Sequence, residues 1–276
     1  MTDFVVVGAG TAGSVVAGEL ASRGFSVVLT EAGASIHQQP TAIRRPATYL
    51  RSFGSQRDWN FATVPQPGLA GRRIRWPRGR GEGGSGLINA MIYLPAPDKD
   101  FDCWERLAGA HWSAIKMKAR VEAVRQRLGD SIETLRYLSP TTRAVLDAAT
   151  ELWSKNAIRP HQVFCRRGQR VTTADVFLAA TDRNNRLTRL TDCVVSRVIV
   201  KQQRAIGIET SKGQEVFASR GIVLCSGTIG SPQLLFASGV ASSEVGKNLQ
   251  DHVVMPFIFK VDSHSATEER PACFNQ

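Results

Sequence analysis

The first 31 residues contain the feature that most restricts what this chain can fold into. Phe4 to Val7 is a short apolar, β-rich run that ends in Gly8-Ala9-Gly10-Thr11-Ala12-Gly13. Apolar residues at helical spacing follow through Val15, Val16, Leu20 and Ala21, and Gly24 stops the pattern. A second apolar run, Phe25 to Leu29, leads to Glu31. Strand, glycine turn, helix, strand and acid, in that order, make a GxGxxG pattern specific for a dinucleotide-binding βαβ unit. The first glycine permits the tight turn, the second lets the backbone approach a pyrophosphate, and the third lets the helix pack close to the strand. The helix N-terminus offers free N–H groups and the positive end of its dipole to the phosphates. Glu31 stands 18 residues after Gly13 (31 − 13), where a carboxylate can bind ribose hydroxyls and would repel a 2′-phosphate, which disfavours NADP.

Beyond this unit the chain reads as α/β. Residues 34–75 carry several prolines and little periodicity, and predict mostly loop with short helices. Residues 102–127 and 140–154 predict helices, with Ser139-Pro140 opening the second. The helically spaced Val145, Leu146, Ala149 and Leu152 are expected in the core. Strands are expected at 187–190, 194–200, 205–209 and 215–218, read as a β-meander with a turn at Lys212-Gly213. A buried-type strand from Gly221 then runs into a second glycine turn at Gly227, and Ser231-Pro232 opens a helix. A meander placed before a late strand of the first sheet is the layout of FAD-type folds more than of NAD dehydrogenases, by analogy of fold.

Composition narrows the class. The 276 residues are 42% hydrophobic and 21% charged, as in ordinary globular proteins. The formal net charge of +11 raises nucleic-acid or membrane-surface binding. However, the arginines are dispersed apart from Arg72, Arg73, Arg75, Arg78 and Arg80, and no zinc-finger spacing or aromatic RNA-binding box accompanies them. No nucleic-acid partner is expected. No run of about 18 apolar residues predicts a membrane span, and the early apolar run leaves no room for a charged signal region. The five cysteines, Cys103, Cys165, Cys193, Cys225 and Cys273, are odd in number and form no CxxC pair, which fits a cytoplasmic setting with no disulfide framework and no metal site.

Four further segments resemble one family. Trp76-Pro-Arg-Gly-Arg-Gly-Glu-Gly-Gly-Ser-Gly-Leu-Ile-Asn-Ala-Met-Ile-Tyr93 is similar to the first signature of the glucose–methanol–choline (GMC) oxidoreductases. Cys225-Ser-Gly-Thr-Ile-Gly-Ser-Pro-Gln-Leu-Leu235, followed by Ser238-Gly239, resembles the second. Val245-Gly-Lys-Asn-Leu-Gln-Asp-His252 resembles their VGxNLQDH box, and Asp58-Trp59 with Pro65-Gln-Pro-Gly68 follows the family pattern. With the βαβ unit these cover most of residues 1–255 in the family's order.

The resemblance implies a Rossmann-like FAD-binding fold with a β-meander insertion, plus an incomplete α+β substrate domain. The FAD-binding domain is expected to be discontinuous, over 1–100 and 187–252, with a partial substrate or cap domain over 101–186 and 253–276. It implies that Gly8, Gly10, Thr11, Ala12 and Gly13 line the FAD pyrophosphate and Glu31 the adenosine ribose. Arg78, Gly83, Gly84 and Ser85 would pass along the flavin side, and Asn89, Ala90 and Met91 would lie against the isoalloxazine. The Val195 backbone would meet the adenine, and Ser226 and Gly227 would border the adenosine. Some members attach FAD through a histidine, where this chain has Ile88, so FAD is expected to be non-covalent.

The departures matter as much. Family members are roughly twice as long and carry a catalytic histidine in a later segment. Here His37, His111, His161, His252 and His264 match no such position, and the catalytic residue is left unassigned. Three readings stand. One is a GMC-type flavoprotein oxidising the CH–OH group of a small-molecule alcohol by hydride transfer to flavin. Another is an inactive homologue that retains FAD binding, and the third is a NAD-dependent Rossmann dehydrogenase. A strand edge expected at Val253 to Val261 predicts a homo-oligomer or a partner chain.

Overall fold

The computed structural model describes residues 1–134, 140–153, 160–181 and 185–251. Strand β1 (Thr2–Val7), helix α1 (Thr11–Ser22) and β2 (Val27–Thr30) come first, then short 3₁₀ turns and the brief pair β3 (Phe61–Ala62) and β4 (Arg75–Trp76). Next are β5 (Ile92–Tyr93), α2 (Asp98–Ala108), α3 (Ala114–Leu128), β6 (Ile132–Thr134), α4 (Pro140–Leu152), β7 (Gln162–Arg166) and β8 (Gln169–Arg170). They are followed by β9 (Leu187–Leu190), β10 (Val195–Lys201), β11 (Arg204–Thr210), β12 (Glu215–Leu224) and α5 (Gly227–Ala237). The chain forms two compact units. One holds Met1–Ile43, Thr48–Asn89 and the described residues from Thr172 on, and the other holds Arg44–Ala47 and the described residues from Ala90 to Val171.

The first unit is built on a six-stranded sheet in the order β10-β11-β12-β1-β2-β9. β1, β2 and β9 run parallel, with Val5 opposite Val28 and Leu29 opposite Arg189. Both faces of β1 are covered, which is why its sequence is continuously apolar rather than alternating. Val6 packs with Ala17, Ala21, Leu29, Ala174 and Leu178 on one face, while Val5 and Val7 pack with Ile208, Ala218 and Leu234 on the other.

The strand reading of the meander needs two corrections. The expected strands at 215–218 and from 221 are one ten-residue strand, β12. Its first part pairs antiparallel with β11, and its last part pairs parallel with β1, from Phe4 opposite Gly221 to Val7 opposite Leu224. Gly221 is not among the positive-φ glycines, so the chain does not reverse there, whereas Gly213 at φ 78° makes the turn between β11 and β12. The strand at 187–190 stands outside the meander, as the parallel neighbour of β2. Backbone bonds from Asp192 N–H to Gly33 O (2.9 Å) and Cys193 N–H to Glu31 O (2.9 Å) keep the chain along β2 before β10 begins.

The second unit carries a small antiparallel sheet, β5-β7-β6, with β8 folded back on β7, and three helices. Two helix expectations change here. The single helix predicted over 102–127 is two, because Gly109, at φ 88° and ψ 175°, takes a conformation open essentially to glycine alone. Of the four positions expected in the core along 140–154, Ala149 is buried, whereas Val145 is 59% and Leu152 74% exposed. Periodicity locates an apolar face and says nothing of what covers it. The predicted strand edge at 253–261 lies outside the described residues. Among the described residues no helix is long and apolar enough to cross a membrane.

Candidate functional site

The first unit contains a cleft of about 750 Å³ where the ends of β1, β2 and β12 meet the N-terminal ends of α1 and α5. That volume lies within the range of cofactor sites, about 300–1,000 Å³. Gly8, Gly10, Thr11, Ala12, Glu31, Arg78, Gly84, Ser85, Val195, Ser226 and Gly227 line it. Eleven of the sixteen sequence-selected residues are thus brought together.

Two others, Gly13 and Gly83, support the cleft from behind. A Cβ on Gly13 would stand 1.8 Å from the Gly8 carbonyl oxygen, so only a residue without a side chain lets α1 close onto the turn. Gly83 donates its N–H to the Ala9 carbonyl (2.8 Å), joining the two glycine loops. The loops touch glycine to glycine, since a Cβ on Gly84 would meet the Gly10 Cα at 2.6 Å. Gly10 itself faces little, since a Cβ there would meet only the Gly84 Cα, at 3.8 Å, so its backbone stays open to the cleft. Asn89 is exposed at the edge of the first unit. Ala90 and Met91 belong to the second unit, where Met91 packs with Val163 and Cys165.

The N-terminal end of α1 lines the cleft through Thr11 and Ala12. It has no side-chain cap and no acidic residue in its first turn. Backbone N–H groups at such an end have no intrahelical acceptor and carry the positive end of the helix dipole, the arrangement that receives an anion. Glycine N–H groups beside an uncapped helix end and an arginine offer donors that fit a pyrophosphate, and a carboxylate offers an acceptor that fits a ribose hydroxyl.

Glu31 does more than line the cleft. One carboxylate oxygen accepts the Ala9 N–H (2.9 Å), and the other accepts those of Gly33 and Gly81 (2.9 Å each). The side chain thereby ties the first glycine turn to the loop that carries Arg78 and Gly84. Burial pushes the Glu31 carboxyl above its usual range, and the three N–H donors partly oppose that rise. This use of Glu31 was not legible in sequence, because two of its three donors are 22 residues before it and 50 after.

Residues outside the sequence-selected set also line the cleft, among them Trp59, Phe61, Cys193 and the first two turns of α5. The Trp59 and Phe61 rings stack at 5.8 Å with an interplanar angle of 3°, and the Arg80 guanidinium lies 5.3 Å from the centre of the Trp59 ring. Arg78 sits over the Trp76 ring and 3.5 Å from Asp251, which also accepts from the Trp76 indole N–H. Ile88 is buried with Ile36, Ile43 and Leu87. His37, His111 and His161 do not line the cleft, and His252 lies outside the described residues. Among the described residues no group of three or more His, Cys, Asp or Glu could hold a metal.

Known proteins share this sequence and this geometry. The family model for GMC oxidoreductase matches residues 2–254. An uncharacterized GMC-type oxidoreductase of Mycobacterium tuberculosis is 37% identical over 308 residues, covering 96% of this chain and 58% of that protein. An oxygen-dependent choline dehydrogenase of Photobacterium profundum is 30% identical, covering 92% of this chain and 52% of that one. The crystal structure of pyridoxine 4-oxidase from Mesorbium loti aligns with a TM-score of 0.77 and 33% identity over 87% of this chain and 52% of that one. The chain thus spans between about half and three fifths of the length of the relatives it matches.

Proposed function

The chain belongs to the GMC oxidoreductase family, and on that premise we propose that it binds FAD non-covalently in the cleft of the first unit and oxidises the CH–OH group of a small alcohol. The observation that carries this reading is the joining of two glycine loops, an uncapped helix end and Glu31 around one cleft. Gly10, Thr11 and Ala12 receive the pyrophosphate on backbone N–H groups. Glu31 has acceptor capacity beyond its three N–H donors and takes a ribose hydroxyl. Val195, Ser226 and Gly227 border the adenosine, and Arg78, Gly84 and Ser85 the flavin side. The assignment of Asn89, Ala90 and Met91 to the isoalloxazine rests on the signature motif alone. Ile88 offers no nucleophile and is spent on packing, which supports a non-covalent cofactor.

Bound FAD supplies hydride acceptance. The chain's own part is to hold and orient it and to keep water from its buried side. The group that takes the hydroxyl proton is unassigned, since no described histidine lines the cleft. That same observation favours a second reading, an FAD-binding homologue without turnover. A positioned base contributes about 10²–10⁴-fold in rate, so slow or absent reduction by alcohols is expected of this chain alone. The test is anaerobic mixing of the yellow holoprotein with a panel of primary alcohols. Rapid bleaching by any of them selects the active enzyme, bleaching by none selects the inactive one, and a protein that never takes up FAD rejects both. Acid precipitation should release all the flavin, and flavin left in the pellet contradicts the non-covalent mode.

A further inference from the structure

We infer that Asp58 is a positioning residue for the cleft, holding Trp59 and Arg78 where they face a bound dinucleotide; the inference rests on the FAD reading above. Asp58 is only 5% exposed, and its carboxylate is fully engaged with backbone. One oxygen accepts the N–H groups of Asn60 and Arg78 (3.0 Å each), and the other accepts that of Gly54 (2.9 Å). Two of these three donors belong to left-handed residues, Gly54 at φ 76° and Asn60 at φ 55°. Glycine and asparagine take that conformation readily, so the turn presents these N–H groups to Asp58 without strain. The third donor, 20 residues on, is the backbone of a cleft arginine.

What Asp58 fixes is the wall of the cleft. The next residue is Trp59, whose N–H donates to the Arg78 carbonyl (2.9 Å), and Arg80 N–H returns to the Arg57 carbonyl (2.7 Å). The carboxylate therefore closes a short ladder that carries the stacked Trp59 and Phe61 rings and the Arg78 guanidinium. Glu31 grips the same loop at Gly81, so two buried carboxylates, each collecting three N–H groups, set the loop from Arg78 to Gly84. Removing one acceptor leaves buried donors unpaired and lets the side chains they carry drift.

Double-mutant cycles test this, with FAD affinity read by flavin-fluorescence titration and melting followed in parallel. The variants are Asp58→Ala, Trp59→Ala, Arg78→Ala and the two pairs that contain Asp58→Ala. Asp58→Ala should weaken FAD about ten-fold, and each pair should lose less than the product of its singles, because the partner is already displaced. Asp58→Asn keeps one acceptor oxygen but sets its NH2 group against a backbone N–H, so it should recover only part of the affinity. Wild-type affinity in Asp58→Ala, or strictly multiplicative losses in both pairs, overturns the inference. If Asp58→Ala fails to fold, the cycles are run with Asp58→Asn, where a non-additive loss supports the inference and an additive or absent loss overturns it. A wild-type chain that takes up no FAD overturns the functional reading and this inference with it, whereas additive loss of measurable binding overturns this inference alone.

Discussion

The two compact units use their apolar residues differently. In the first, the residues of β1 and β2 are enclosed on both faces, and Val5, Val6, Val27 and Leu29 are all but inaccessible. In the second, Phe101, Leu128, Ala149, Val163 and Cys165 are buried, while Leu107 is 81% and Ile115 85% exposed on its helices. The physical difference lies in how each apolar residue finds its partner. A βαβ unit brings its own strand, helix and strand together within about 30 residues, so Val6, Ala17, Ala21, Val27 and Leu29 meet as neighbours in sequence, and Ala174, Leu178, Ile208 and Leu234 complete the two faces from far along the chain. The helices of the second unit each present an apolar stripe whose cover must come from elsewhere. Among the described residues that cover is partial: Phe101, Leu128 and Ala149 are buried and the Phe101, Trp104 and Trp112 rings meet edge to face, while Leu107, Ile115, Val145 and Leu152 face solvent.

The largest effect that would break this comparison is at Gly13. Gly13→Ala forces a methyl into the Gly8 carbonyl, and it should cost about 3 kcal/mol, the upper end of overpacking penalties. Urea unfolding measures it, and a loss under about 1 kcal/mol would mean that α1 is not clamped as described.

Glu31 comes next. Glu31→Ala removes an acceptor shared by three backbone donors and should weaken FAD by about 1.5–3 kcal/mol, the range for hydrogen bonds to charged groups. Unchanged affinity in a titration would separate the turn from the cofactor. The pH dependence has a definite sign. Burial raises the Glu31 carboxyl, so just above the ordinary glutamate range the folded state keeps a proton that the unfolded chain has lost. Stability attributable to Glu31 therefore falls as pH rises through that window, and Glu31→Gln should abolish the slope.

Two cysteines compare the units directly. Cys165 in the second unit is pushed up to about 11, by burial first and by Glu133 second, and burial also raises Cys225 in the first. Cys165 is buried, so it should react with iodoacetamide at pH 8 only through local opening. Cys225 is half-buried and lines the cleft, so it should be alkylated faster under native conditions. Equal rates, read by mass spectrometry of tryptic peptides, would show that Cys225 is covered in solution. The smallest effect is at the exposed stripe itself. Val145→Ser and Leu152→Ser should change stability by less than about 0.5 kcal/mol, and larger losses would reveal that these side chains are covered in solution.

Much of the first unit was legible before any coordinates. The glycine turn, α1, the acid at the end of β2 and the strand entering the second glycine turn are local patterns. Steric rules at Gly8 and Gly13 and apolar spacing along α1 act over a few residues and leave their mark in the order of letters. The break at Gly109 carried its own signal, a glycine after Ala108, which a long apolar spacing overrode. By contrast, nothing in the spacing of Asp58 announces that its carboxylate is buried, since one of its donors arrives from 20 residues away.

What the sequence determined by itself is therefore the dinucleotide-binding frame and the signature loops around it, because each depends on conformations that neighbouring residues impose on one another. Tertiary structure alone decided that β12 serves two strand partners, that Trp59 and Phe61 wall the cleft, that Glu31 and Asp58 hold loops together, and that Ile115 on α3 and Val145 and Leu152 on α4 stay exposed. Those outcomes follow from which distant backbone donors and surfaces meet, and a burial or a hydrogen bond of that kind has no energy until the chain has closed around it.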